Sequence, residues 1–201
     1  MPHVKHATPV HPILPPFAER WSPYVYDERP VEREKLLSCL EAARWAESSY
    51  NEQPWIYFLS ERTDRVEFER ALECLVEANQ AWAKHAGVLI LTAISRTFRK
   101  NGSPNRVAEH DLGISAAHFA LQATALGLQA HQMAGVNLAK VRQTYNVPEG
   151  YDPHTAIALG YAGPPPGGAD PQLAPRDASP RSRKALSEFV FTGNWNQPTQ
   201  W

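Results

Sequence analysis

The sequence predicts an α+β fold, and three observations carry that expectation. Helical and strand-like patterns are mixed along the chain without strict β-α-β alternation. The 18 prolines avoid the middle: seven lie in residues 1–30 and eight in 148–180, and only Pro54 and Pro104 fall between 31 and 147. Proline fixes φ and lacks an N–H, so regular structure belongs to the middle and extended arms to the ends. The third observation is a long helical pattern over 106–126 with little polar face, read as a central buried helix. We therefore divide the chain into an N-terminal arm (1–30), an α+β core (31–162) and a C-terminal arm (163–201).

The elements follow in order. Pro30 precedes a helix over 32–46, with Leu36, Cys39, Leu40, Ala43 and Ala46 at helical spacing. Residues 55–59 are aromatic and β-branched, a strand; 64–83 reads as helix. Residues 88–94 form an apolar run with Val, Ile and Thr, a buried strand. Gly127 stops the 106–126 helix. Residues 128–136 read as a strand opening into a loop, 138–145 as a short helix and 156–160 as a strand. Gly163, Pro164, Pro165, Pro166, Gly167 and Gly168 make a spacer.

Composition excludes several classes. The chain has 201 residues and a formal net charge of −1, with 20% charged and 43% hydrophobic residues. A chain of this size buries roughly 70% of its unfolded surface and needs no disulfide or metal staple. Near-neutral charge argues against nucleic acid. No apolar run approaches the roughly 20 residues that cross a bilayer. Met1, Pro2, His3, Val4, Lys5 and His6 are not followed by an apolar stretch of the secretory kind. Cys39 and Cys74 lack metal spacing and read as small apolar residues of a reducing, cytoplasmic compartment. G-x-S-x-G, H-E-x-x-H, the phosphate loop G-x-x-x-x-G-K-[ST] and G-x-G-x-x-G are all missing. His110, Asp111 and His118 lack a further ligand, so they read as polar groups on one helix, with no metal.

Three segments are more informative together. Arg20-Trp21-Ser22 puts an Arg and a hydroxyl two residues apart in an extended arm, where both side chains point to one side. Ser48-Ser49-Tyr50-Asn51-Glu52-Gln53-Pro54-Trp55 gathers short hydrogen-bonding side chains where the backbone turns from helix to strand. Arg181-Ser182-Arg183-Lys184 is a basic stretch able to close over a phosphate, or simply solvated.

With these segments in order, the sequence resembles the FMN-dependent nitroreductase family over roughly residues 13–191. Arg20-x-Ser22 looks like that family's N-terminal phosphate motif. Ser48-Ser49-x-Asn51-x-Gln53-Pro54-Trp55 matches its most specific signature, Ser-Ser-x-Asn-x-Gln-Pro-Trp. Asn79 sits where the family carries an asparagine that hydrogen-bonds the flavin. Leu126-Gly127-Leu128 through His131-Gln132-Met133-Ala134-Gly135 is similar to the segment lining the flavin, and Arg181-x-Arg183 to the terminal basic pair on the FMN phosphate.

The resemblance implies a sheet flanked by helices, in a homodimer whose extended arms embrace the partner, with helix 106–126 at the centre of the interface. It implies FMN at the seam between copies, reduced by NADH or NADPH and reoxidised by a small-molecule acceptor, a nitroaromatic or quinone. The cofactor residues it implies are Arg20, Trp21, Ser22, Tyr24, Ser48, Ser49, Asn51, Gln53, Asn79, Gln132, Met133, Ala134, Gly135, Arg181 and Arg183. The backbone of Ala134 and Gly135 would face flavin N5, and no side-chain acid or base is required because flavin carries the chemistry. Phe98, in the basic loop 96–106, and His131 are candidates for contacting the acceptor. That loop is read either as attracting NAD(P)H phosphates or as merely solvated. Trp195 and Trp201 would pack on the partner or hang free.

Two positions depart from the family pattern. Tyr24 stands where the family often has Arg or Lys, removing a cation that favours reduced flavin unless another replaces it. Glu47 stands where it usually has Pro. These departures keep open a flavin-binding sensor or storage protein without turnover, and a related enzyme with a specialised acceptor.

Overall fold

The computed structural model describes residues 3–200, so Met1, Pro2 and Trp201, and the expectations placed on them, lie outside it. The core elements are α2 (Arg33–Arg44), β1 (Trp55–Glu61), α3 (Arg65–Leu72), α4 (Glu77–Ala83), β2 (Val88–Ser95), α5 (Ala108–Ala125), β3 (Gln129–Met133), α6 (Leu138–Thr144) and β4 (Tyr151–Gly160). The four strands form one antiparallel sheet in the order β1-β2-β4-β3.

Both faces of the sheet are covered, which is why β2 reads as a continuous apolar run. Its side chains alternate. Val88 and Ile90, with Ile157 and Leu159 of β4, pack against Leu36, Cys39, Phe119 and Ala123 of α2 and α5. Leu89 and Leu91, with Ala156 and Ala158, pack against Phe68, Cys74, Trp82 and Val141 on the α3, α4 and α6 side. Both cysteines are buried free thiols, and burial pushes the Cys39 thiol up to about 12. They serve as small apolar residues, as expected.

The helix expected over 64–83 is two helices. The chain breaks because Leu75 pairs with Val136 in an isolated bridge. Val76 N–H donates to the Gly135 carbonyl (3.1 Å) and Asn137 N–H to the Cys74 carbonyl (2.8 Å). Long-range pairing overrides helix propensity here and docks α4 beside the segment that follows β3. The last strand starts at Tyr151, five residues earlier than expected, and accommodates Pro153. Pro153 pairs with Ala93 on one side only, because β3 meets β4 just over residues 156–160.

The arms are not wholly extended. The N-terminal arm contains a short helix, α1 (Pro15–Glu19), with prolines in its first turn. The C-terminal arm contains another, α7 (Ala174–Ala178). Nor is α5 buried all round: Asp111, Leu112, Phe119 and Ala120 face inward, while Glu109, His110, Gly113 and Ala117 are exposed. Only one side of α5 meets α2 and the sheet.

Candidate functional site

The two arms meet at a cluster of three arginines. Arg20 follows the Pro15–Glu19 helix, and its Nη1 donates to Ser22 Oγ (3.3 Å). Arg181 reaches back across the molecule and donates to the carbonyls of Ala18 and Arg20. Its Nε–H is buried and has no partner among the described residues. Burial first, then the charges of Arg181 and Arg183, lower the pKa of Arg20; burial and Arg183 lower that of Arg181. Among the described residues no carboxylate forms an ion pair with any of the three. Like charges gathered without a counter-charge, around an orphaned donor, make a site suited to an anion.

Trp21 lies on the other side of the arm from Arg20 and Ser22. It is 7% exposed, stacks on His3 (4.9 Å) and donates its backbone N–H to Gln129 Oε1 (3.0 Å). The period-two alternation that aims Arg20 and Ser22 together turns Trp21 the other way.

Tyr24 and His131 sit behind the arginines in an aromatic group. His131 stacks on Trp82 (4.4 Å), and Tyr24 meets both edge-on, at 4.8 Å and 5.3 Å. His131 Nδ1 lies 2.7 Å from the Pro23 carbonyl, which only accepts, so Nδ1 carries the proton. Burial lowers the His131 pKa, and the ring is a neutral packing element. Asp177 fastens the C-terminal arm here, accepting the N–H groups of Tyr24 (3.0 and 3.1 Å) and Val25 (3.0 Å). Next to it, the Arg176 guanidinium carbon lies 5.1 Å from the Tyr24 ring centre. A cation that the local sequence around Tyr24 lacks thus stands against its ring from the C-terminal arm.

Asn79, expected to address the flavin, and Gly135 stand side by side. Asn79 Nδ2 donates to the Gly135 carbonyl (3.1 Å). A Cβ on Gly135 would collide with the Asn79 amide and come within 2.9 Å of Val76 Cγ2, so any larger residue there must displace both side chains. The Gly135 N–H has no acceptor among the described residues, and Ala134 beside it is exposed. Met133 is buried, and Gln132 spends its amide on the Ala116 carbonyl (3.2 Å).

The turn 48–53 is a separate structure. Tyr50 (φ 52°), Asn51 (φ 55°) and Gln53 (φ 52°) are all left-handed, a conformation that costs non-glycine residues about 1–3 kcal/mol each. Side chains hold it: Ser49 N–H donates to Asp111 Oδ2 (3.1 Å), Gln53 N–H to Ser48 Oγ (3.0 Å), and Gln53 Nε2 to Asn51 Oδ1 (3.1 Å). Among the described residues no hydrogen bond, ion pair or ring contact joins this turn to the arginines or to Asn79. Glu47 faces water, with a 76% exposed side chain. Phe98 stands against Tyr50, so it and His131 lie in different groups within the chain. Two of the four cations of the loop 96–106 are already neutralised: Arg96 by Asp152 and Glu109, and Arg99 by Glu52.

Asp111 and Asp177 are the positioning residues that sequence reasoning missed. Asp111 had a signal: it interrupts the inward stripe of Ala108, Leu112 and Ser115, and it is 3% exposed. Asp177 had none, lying 152 residues beyond the N–H it holds. A cavity of about 590 Å3 lies between the arms on the Trp21 side, and another of about 300 Å3 runs beside Tyr24 and His85. Neither gathers the expected cofactor residues. Among the described residues no three His, Cys, Asp or Glu side chains gather as metal ligands, and no helix is long and apolar enough to cross a membrane.

The family model described as Nitroreductase family matches residues 17–161. An uncharacterised 15.4 kDa protein of Mycolicibacterium smegmatis is 34% identical over 127 residues, covering 62% of this chain and 82% of that one. A Streptomyces coelicolor protein carrying the name NADH dehydrogenase/NAD(P)H nitroreductase is 27% identical over 178 residues, covering 79% and 87%. A crystal structure described as an oxidoreductase containing FMN superposes with a TM-score of 0.86 at 29% identity, covering 96% of this chain and 98% of that one. On the extent of the family match and the agreement of fold, this chain belongs to the nitroreductase family.

Proposed function

We propose that this protein is an FMN-dependent oxidoreductase of the cytoplasm. It takes reducing equivalents from NADH or NADPH and delivers them to a small-molecule acceptor, a nitroaromatic or a quinone, in a ping-pong sequence. The observation that carries the reading is the arginine cluster, uncompensated by any carboxylate and holding the buried, partnerless Nε–H of Arg181. That is the chemistry a phosphate monoester satisfies with charge-assisted hydrogen bonds. The name of the S. coelicolor relative and the FMN of the similar crystal structure support it.

In this reading Arg20, Ser22, Arg181 and Arg183 hold the phosphate, joining the arms 1–30 and 163–201 to the core 31–162. Asn79 orients the Gly135 segment, whose free N–H donates to the ring, and Gly135 itself leaves room for close approach. Bound FMN would supply the hydride-accepting centre. The residues Ser48, Ser49, Asn51 and Gln53 have no contact with this group within one chain, so they serve the site of a second copy in a homodimer. The exposed Gly113 and Ala117 face of α5, and the exposed Phe189 and Trp195 of the C-terminal arm, fit such an assembly.

The test begins with the purified protein. A yellow dimer that releases FMN on denaturation, and oxidises NADH or NADPH with menadione along parallel double-reciprocal lines, supports the whole reading. Bound FMN without turnover leaves the sensor or storage reading in its place. A colourless monomer that ignores added FMN overturns it.

A further inference from the structure

We propose that Glu52 is a positioning residue for acceptor selection: it latches the loop 96–106 to the turn 48–53, and so holds Tyr50 and Phe98 as one aromatic wall for flat, electron-poor ring acceptors. This rests on the oxidoreductase reading above.

Glu52 is 7% exposed, an unusual place for a carboxylate in a surface turn. Its Oε1 accepts both the backbone N–H (3.1 Å) and the Nε–H (3.0 Å) of Arg99, and its backbone carbonyl accepts Arg99 Nη2 (3.1 Å). The charge of this buried carboxylate is thus met through Oε1 by the guanidinium of Arg99, whose side chain is itself 72% exposed. The latched loop is itself preformed. Phe98 N–H donates to the Ser103 carbonyl (2.9 Å), Asn105 N–H to the Arg96 carbonyl (2.7 Å), and Thr97 bridges Pro104. Arg96 ties its base to Asp152 and Glu109. One residue from the latch on each side stand Phe98 and Tyr50's neighbour Asn51; the two rings meet edge-to-face at 5.8 Å and 88°.

Tyr50 is the odd member. It is 93% exposed and left-handed at φ 52°, a bulky side chain on backbone that disfavours it. Within one chain neither burial nor backbone preference explains an aromatic there. Display at the site between the proposed copies does, and the ligand it suits is a planar ring that packs on aromatic faces.

The experiment compares a dinitrobenzene with ferricyanide, an acceptor with no ring to stack, using the FMN-loaded full-length protein. The reading is the ratio of their kcat/KM values. An aromatic contact is worth about a 2- to 10-fold change. Tyr50→Ala and Phe98→Ala are each expected to lower the ratio by about that factor, through KM for the dinitrobenzene. Glu52→Ala is expected to lower it comparably, and to add nothing in the Tyr50→Ala/Phe98→Ala background. Glu52→Gln, which keeps the acceptor oxygen and shape, is expected to lose less and guards against misfolding. If Glu52→Ala and Glu52→Gln retain FMN but leave the ratio unchanged, or depress both acceptors and KM for NADH alike, the latch is only structural and the inference fails alone. If the wild-type protein binds no FMN, the oxidoreductase reading fails and takes this inference with it.

Discussion

Replacing Arg20 with methionine tests the anion site from two directions at once. Methionine keeps an apolar stem of similar reach and removes the guanidinium. That guanidinium is half-buried, faces the charges of Arg181 and Arg183, and makes one side-chain hydrogen bond, to Ser22 Oγ. Its pKa is lowered, so the folded state disfavours its charge. In the FMN-free protein Arg20→Met is therefore expected to hold or raise the melting temperature. With ligand the sign reverses. A hydrogen bond to a charged group is worth about 1.5–3 kcal/mol, so the Kd for FMN should rise roughly 10- to 150-fold. The assay is a flavin fluorescence titration with FMN and with riboflavin, beside thermal unfolding with and without each. Only FMN carries the phosphate, so the preference for FMN over riboflavin should shrink while riboflavin binding is spared. Equal losses for the two ligands, or a destabilised apoprotein, would refute the assignment of Arg20 to a phosphate.

Other expectations follow from the same geometry. Gly135→Ala drives a methyl into the Asn79 amide and Val76, and overpacking of this kind costs about 1–3 kcal/mol; a lower melting temperature and reduced FMN retention on gel filtration check it. Arg176 lies against Tyr24, so Arg176→Gln should lower the midpoint potential of bound FMN and Tyr24→Arg should raise it, as read by dye equilibration. Glu28 is held below its usual carboxylate range chiefly by a hydrogen bond from His85, and also by Arg62. A carboxylate with a depressed folded pKa adds stability above its unfolded value of about 4.5, and that stability is lost as pH falls through the folded value. Glu28→Gln should accordingly flatten the acid side of a melting-temperature profile, and an unchanged acid limb would dismiss the pair as a contributor.

Much of the fold was legible because periodicity reports burial. Leu36, Cys39 and Ala43 repeat at helical spacing and do face the sheet, and the unbroken apolar run of β2 does mark a strand covered on both sides. The failures share a cause. The break at residues 73–76 arises from pairing with 134–137, some sixty residues away, and no local pattern announces it. Prolines make the arms look extended, yet proline also suits the first turn of a helix, where Pro15 and Pro175 sit. Alternation along an extended arm, legible in the sequence, sends Trp21 to the side opposite Arg20 and Ser22.

The candidate site was legible as residue types in order, and its arrangement adds something order cannot express. Two long-range fastenings order parts of it within one chain: Asp177 holds the Tyr24 backbone, close in sequence to Arg20 and Ser22, and the Gly135 carbonyl is held by Asn79 of α4. The turn 48–53 is assembled just as firmly, by Asp111 and Glu52, but elsewhere. Three left-handed residues are an investment in shape that solvent alone does not explain. Among the described residues no hydrogen bond, ion pair or ring contact joins the two groups; the homodimer proposed above would join them across a two-fold axis, with the turn of each copy at the arginines of the other. A protein that bound FMN at full strength as a monomer would break that argument at its base, since one chain would then be holding the cofactor without the turn whose geometry it maintains.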